Sequence, residues 1–431
     1  MAVAGAFIVP HPPIILPEIG RGEEAKIQKT AEAYWEIAGE AAGLHPETVV
    51  ILSPHSVLYR DYFHISPGAG ARGDFGQFRA PGVKVSAEYD MDLVQELCRV
   101  ARAAGLPAGI YGELDPVLDH GTMIPPRFLQ KRCDKFRIVR IGLSGLPFAL
   151  HYQLGQCIAR AAQNLDRRIV VIASGDLSHK LLESGPYGFA PEGPEYDEAV
   201  TSVMASGDLK KLLDFDEKFC EKAAECGHRS FTVMAGCLDK MPLKSRLLSH
   251  EGPFGVGYAV ASFQDACVAL ARQSMEHWVK TKRLLALPEE LPQALLDHRA
   301  GVFVSLHEHG CLRGCIGTVL GVHKNVAEEI LENAVSACAR DPRFRPVEEW
   351  ELADIICTVD ELSKPEPIES EECLDVKRYG VIVSKGRRRG LLLPNLEGVE
   401  NVRQQVELAK QKAGIYGDEY DLERFEVVRH Y

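Results

Sequence analysis

Phe7-Ile8-Val9-Pro10-His11-Pro12-Pro13 is a short apolar run, β-branched at Ile8 and Val9, that two prolines bring to a stop. The pattern predicts a buried strand ending at a histidine on stiff backbone. It returns twice. Val49-Val50-Ile51-Leu52 leads into Ser53-Pro54-His55, and Ile169-Val170-Val171-Ile172 leads into Ala173-Ser174-Gly175-Asp176-Leu177-Ser178-His179. Functional groups of open α/β sheets gather beyond the carboxyl ends of parallel strands. Three histidines at that one address predict one site.

Working outward, strands alternate with helical patterns as far as Phe263. Gly22 to Gly43 is rich in Ala and Glu, Asp90 to Gly105 carries apolar residues at helical spacing, and Leu150 to Leu165 leads into the third strand. Further strands are predicted over Phe136 to Ile141, Lys244 to Leu248 and Gly257 to Phe263. From Glu195 to Ala224 the pattern is helical, broken at Ser206-Gly207-Asp208. The alternation calls for an α/β fold, a mostly parallel central sheet flanked by helices. Arg60 to Val83, with Phe63, Phe75 and Phe78 among glycines, reads as a loop walling a pocket. Leu118-Asp119-His120-Gly121-Thr122 reads as a polar turn with a fourth histidine.

After Phe263 the order changes. A helix capped by Asp265 is followed by a hairpin through Cys311-Leu312-Arg313-Gly314-Cys315-Ile316-Gly317-Thr318, a helix over Asn325 to Arg340, three further strands and a helix over Asn401 to Ala413. At 431 residues two domains are expected. The boundary falls between residues 264 and 265, with a smaller α+β domain second. No Gly/Ser-rich tether separates the halves.

A net charge of −12 opposes an extended nucleic-acid or anionic-membrane surface. Lys385-Gly386-Arg387-Arg388-Arg389 is a basic run of hairpin-tip size. No apolar run has the length of a membrane span, and the first residues lack the pattern of a signal peptide. Twelve cysteines without a C-x-x-C pair point to reduced thiols and a cytoplasmic protein.

Two imidazoles and one carboxylate with open positions make the facial triad of non-haem Fe(II) sites. His11 and His55 supply the imidazoles, and Glu251, in His250-Glu251-Gly252-Pro253, is the best placed carboxylate. His120 and His179 are then available for proton transfer. Each residue also has a structural reading: the histidines as hydrogen-bonded turn residues, Glu251 as a solvated hairpin residue, Asp176 as a helix cap. By spacing alone, zinc hydrolysis stands beside iron chemistry.

Residues 1–264 resemble the class III (LigB-type) extradiol ring-cleavage dioxygenases, including their Memo-like branch. The resemblance is carried by Pro10-His11-Pro12-Pro13, Ser53-Pro54-His55, Leu118-Asp119-His120-Gly121, Ser174-Gly175-Asp176-Leu177-Ser178-His179 and His250-Glu251-Gly252-Pro253 with Gly257-Tyr258-Ala259. It implies Fe(II), or Zn or another divalent metal, held by His11, His55 and Glu251. It further implies His179 as acid/base, His120 positioning substrate or oxygen, and a catechol-type diol and O₂ as reactants. Eukaryotic Memo-like proteins carry a cysteine in place of the carboxylate, and Glu251 places this chain in the metal-competent group.

Residues 265–431 resemble the AMMECR family through Leu312-Arg313-Gly314-Cys315-Ile316-Gly317-Thr318, Arg340-Asp341-Pro342-Arg343-Phe344 and Gly390-Leu391-Leu392-Leu393-Pro394. The fusion is similar to two parts of the prokaryotic AmmeMemoRadiSam grouping, whose third part implies a radical-SAM protein partner. A metal-binding hydrolase or adaptor working with that partner is the alternative to a dioxygenase. In the second half, Arg313 and Cys315 should share a strand face if no bulge intervenes, which makes them a second candidate site, an anion-binding arginine beside a reactive thiol. The structural alternative pairs Arg313 with an acidic neighbour and packs Cys315 in the core.

Overall fold

The computed structural model describes residues 3–112, 114, 117–133, 135–396 and 398–431. The chain divides into two compact units, Met1–Asp265 and Ala266–Tyr431.

The first unit is built on a six-stranded sheet of β1 (Val3–Val9), β2 (Thr48–Ser53), β3 (Arg137–Gly142), β4 (Ile169–Ser174), β5 (Leu243–Glu251) and β6 (Tyr258–Asp265). The spatial order is β3-β2-β4-β1-β6-β5. β1 to β4 run parallel, while β6 and β5 close one edge antiparallel. Both sheet faces are covered, which is why β1, β2 and β4 are buried throughout and carry continuous apolar runs rather than alternating. Ala6, Ile8, Val50 and Leu52 pack into the core on one face. Phe7, Val9, Val49 and Ile51 pack into the core on the other. Helices α1 (Gln28–Gly43), α2 (Met91–Ala103), α3 (His120–Leu129), α4 (Phe148–Asn164), α5 (Glu192–Ser206) and α6 (His228–Cys237) supply the layers. The parallel sheet and its flanking helices are as expected from sequence.

Three local expectations change. Residues 60–83 are not simply loop: Gly70–Phe75 and Ala80–Glu88 pair as an antiparallel hairpin. Phe63 and Phe75 are fully buried in the two cores, and of the three phenylalanines it is Phe78 whose ring meets His120, at 5.4 Å between centroids. Residues 118–122 are a helix start rather than a free turn. Asp119 caps α3 by accepting from the Thr122 N–H at 2.8 Å. Pro125 and Pro126 lie inside that helix and mask it in the sequence. Finally, Glu251 ends β5 instead of sitting in the turn after it.

The second unit holds an antiparallel sheet of β7 (Gly301–Glu308), β8 (Cys311–Gly317), β9 (Ile355–Leu362), β10 (Tyr379–Lys385), β11 (Arg388–Leu392) and β12 (Asp421–His430), in the order β8-β7-β9-β12-β10-β11. A short strand, Glu366–Ile368, also pairs with β12. Helices α7 (Ala266–Thr281) and α8 (Val326–Ala339) pack against β7 and β9, and α9 (Val402–Ala413) packs on β10 and β11. Locally paired strands with separate helices make this unit α+β, as expected. Among the described residues no helix is long and apolar enough to cross a membrane.

Candidate metal centre

β1, β2 and β4 end side by side, so the turns that follow them meet. Past β1, the His11 N–H donates to Asp176 Oδ1 at 2.9 Å, tying the first turn to the one after β4. Asp176 is thus an anchor for His11 rather than a helix cap. The His11 ring is buried, and its Nε2 lies 3.0 Å from Nε2 of the exposed His55. Cys226 Sγ lies 3.6 Å from the same His11 nitrogen. Two nitrogens and a thiolate around a tetrahedral ion would be spaced by roughly 3.3 and 3.6 Å, given ~2.0–2.1 Å metal–nitrogen and ~2.3 Å metal–sulfur bonds. The donor set fits a divalent metal.

Close backbone approach puts Cys226 there. A Cβ on Gly175 would come within 2.2 Å of Gly227 Cα. With both residues glycine the segments touch, and the Asp176 N–H donates to Cys226 Sγ at 3.2 Å. A second donor set, Asp176, His179 and Cys226, shares the sulfur. In each set the ligand atoms lie within 4.8 Å of one another.

The structure brings His11, His55, His120 and His179 to one place but not Glu251. The His120 ring centroid is 4.1 Å from that of His55 and 5.3 Å from that of His11. Glu251 Oε2 instead accepts from the Thr30 N–H at 2.8 Å and from Thr30 Oγ1 at 2.7 Å. Thr30 is in the first turn of α1, whose N-cap is Ile27, a residue with no side-chain acceptor. A helix start leaves N–H groups open and favours negative charge, and Glu251 meets both needs from the end of β5. The missing cap was a usable sequence signal. Cys226 was hidden among twelve cysteines, although Cys226-Gly227 falls just beyond the helical pattern that stops at Ala224. Glu251, expected from sequence to mark a metal-competent site, is therefore not among the donors that converge on His11.

Three of the site's imidazoles carry little charge. Burial, helped by His55, pushes the His11 ring down to about 3. Burial, with His55 and His11 adding to it, does the same to His120, also about 3. Burial lowers His179 as well, against the pull of Asp176. These rings are neutral at neutral pH, the form that binds metals or accepts protons. Burial and Asp176 hold the Cys226 thiol well above its usual range, so it loses its proton only to a bound cation. Beside these groups opens a cavity of about 660 Å³ whose wall includes His55, Ser56, Asp74, Gln77, His120 and Arg140.

In the second unit Arg313 is fully engaged. Its Nε and Nη2 donate to the Glu351 carboxylate at 2.7 and 3.1 Å, and Nη1 donates to the Arg345 carbonyl at 2.9 Å. Gly314 lets the sheet close on α8, since a Cβ there would meet the Ala337 carbonyl at 2.3 Å. Burial raises the Cys315 thiol, although Ser305 Oγ donates to it at 3.2 Å and Arg343 stands nearby. The guanidinium beside Cys315 is thus that of Arg343, and Arg313 has the acidic partner of the structural reading. Cys315 in the native protein is expected to resist a small alkylating reagent below the ordinary thiol range and to react on unfolding, which labelling across pH followed by peptide mapping measures.

Comparison with known proteins agrees with the architecture. The model of the family described as the catalytic LigB subunit of aromatic ring-opening dioxygenase matches residues 5–261, and that of AMMECR1 matches 268–430. A protein of Clostridium acetobutylicum is 38% identical over an alignment of 466 positions, taking in 100% of this chain and 99% of its own. A Thermotoga maritima protein is 48% identical over 166 residues, 38% of this chain and 95% of its own. A solved structure of an uncharacterized Pyrococcus horikoshii protein is 29% identical with a TM-score of 0.36, covering 38% of this chain and 88% of that one. This chain belongs to the LigB family through its first unit, and an AMMECR1 domain follows in its second.

Proposed function

We propose that the first unit is a metal-dependent oxidoreductase of the extradiol-dioxygenase type, with Fe(II) held by His11, His55 and Cys226 and a catechol-type diol as substrate. The observation that carries this reading is the convergence of two imidazole nitrogens and one sulfur, 3.0 and 3.6 Å apart, beside a cavity walled in part by His55 and His120. Fe(II), when bound, supplies the site at which diol and O₂ meet. The protein orients the reactants and moves protons. His179 Nε2 is buried and has no hydrogen-bond partner among the described residues, so its neutral ring can take a proton from a substrate hydroxyl and return it. His120, neutral and edge-on to Phe78, is placed to hold an oxygen by a hydrogen bond.

The test is anaerobic reconstitution with Fe(II), then O₂ uptake over a panel of catechols. His179→Ala should keep its metal and lose turnover by about a hundredfold or more, the scale of a positioned proton-transfer group. Loss of metal in that variant would move the ion to Asp176, His179 and Cys226. One observation favours a second reading. Sulfur in the donor set suits zinc, and two histidines and a cysteine leave a fourth position for water in a hydrolase. Tight zinc with no O₂ uptake on any diol would select it.

A further inference from the structure

We propose that Ser174 is a positioning residue that fixes which nitrogen of His11 faces the metal, and that Pro125 makes this possible. The inference rests on the reading of His11 Nε2 as a ligand atom. His11 Nδ1 lies 3.0 Å from Ser174 Oγ. The same hydroxyl donates to the Gly121 carbonyl at 2.8 Å. A serine hydroxyl has a single hydrogen, and a carbonyl can only accept. With that hydrogen committed to Gly121, Ser174 Oγ can only accept from His11. A neutral His11 must therefore carry its proton on Nδ1, which leaves the Nε2 lone pair directed at His55 and Cys226.

The Gly121 carbonyl is open for a reason written in the sequence. In a helix it would accept from the N–H of the residue four on. That residue is Pro125, inside α3, and proline has no N–H. A proline in one helix thus sets the direction of a hydroxyl, and the hydroxyl sets the tautomer of a ring on a neighbouring strand end. The backbone at Ser174 is held separately, because Ser230 Oγ donates to the Ser174 carbonyl at 3.0 Å. Removing the hydroxyl should leave that anchor in place.

Two variants and two readouts test this. In metal-free wild-type protein, nitrogen-15 NMR of the His11 ring should show the Nδ1–H form. Ser174→Ala should show a mixture of tautomers. It should also bind Zn(II), measured against a chromophoric chelator, about ten- to a hundredfold more weakly, the usual effect of removing a ligand's hydrogen-bond partner. Pro125→Ala restores an N–H that competes with Ser174 for the Gly121 carbonyl and so loosens the hold on the Ser174 hydrogen. It should therefore stabilise the helix yet weaken Zn(II) binding by up to about tenfold. A purely structural role would move stability and affinity together, and if Ser174→Ala does not fold, Pro125→Ala carries the test. A wild-type ring found in the Nε2–H form, or variants that keep both tautomer and affinity, would overturn the proposal. If instead the tautomers shift as expected but wild-type protein binds no Zn(II), Ser174 still sets the His11 tautomer while the metal reading, and with it the role in metal binding, fails.

Discussion

Cys226→Ala is expected to weaken metal binding by more than about a hundredfold, beyond the ten- to hundredfold typical of groups that merely support a ligand. His11→Ala and His55→Ala should do the same, because each removes one of the three converging donors. Glu251→Ala should keep its metal. Its cost should appear as lost stability of about 0.5–2 kcal/mol, the range for losing a helix N-terminal acceptor, since its carboxylate serves the first turn of α1. Metal content by mass spectrometry and urea unfolding of the metal-free proteins separate the two effects. A Glu251→Ala protein that purifies without metal, beside a fully loaded Cys226→Ala, would restore the carboxylate as the ligand.

Asp119→Ala should cost about 3–5 kcal/mol, the penalty for stranding one partner of a buried ion pair. Asp119 accepts from Ser53 Oγ at 2.6 Å, from Thr122 Oγ1 at 2.7 Å and from Arg140 Nη2 at 3.1 Å, besides capping α3. Arg140 is itself buried, so losing Asp119 leaves a guanidinium without its carboxylate. Combining Asp119→Leu with Arg140→Met should recover much of that loss, because apolar replacement of a whole buried pair is often neutral. The pH dependence has a definite sign. Burial alone would raise the Asp119 carboxyl, but Arg140, Ser53 and Thr122 outweigh it and hold the group below its usual range. Its contribution is present above the unfolded-state value and lost as pH falls through the lower folded-state value. Wild-type stability should therefore drop more steeply in acid than that of the double variant, as urea unfolding at a series of pH values would show.

His11 and His55 were legible in the sequence because an apolar strand stopped by proline leaves a side chain at a fixed place. His120 and His179 were legible as residues of polar turns at the same sheet edge, though α3 was not, since two prolines speak against a helix that tertiary packing nonetheless holds. Cys226 takes the place of Glu251 in the proposed ligand set for one physical reason. A carboxylate near a turn has several possible uses, and the one it has here depends on Thr30, 221 positions away. A cysteine gives no local signal separating a ligand from a core residue. In the second unit the Arg313 pairing followed from the cost of burying an unpaired guanidinium, and Glu351 supplies the partner.

His11 and Cys226 are separated by 215 positions. With His11, His55 and Cys226 as the ligands, His11 leaves the ribosome long before Cys226 exists, so the three donors come together only after most of the first unit has been made. Capture of an ion by all three would be a late event, open to a first unit that has closed Gly175 against Gly227. An ion that binds only the closed form also deepens its free-energy well, by about 2.7 kcal/mol at a free concentration a hundred times the dissociation constant. Metal supply would then govern how long the chain survives in a cell, quite apart from any reaction it performs.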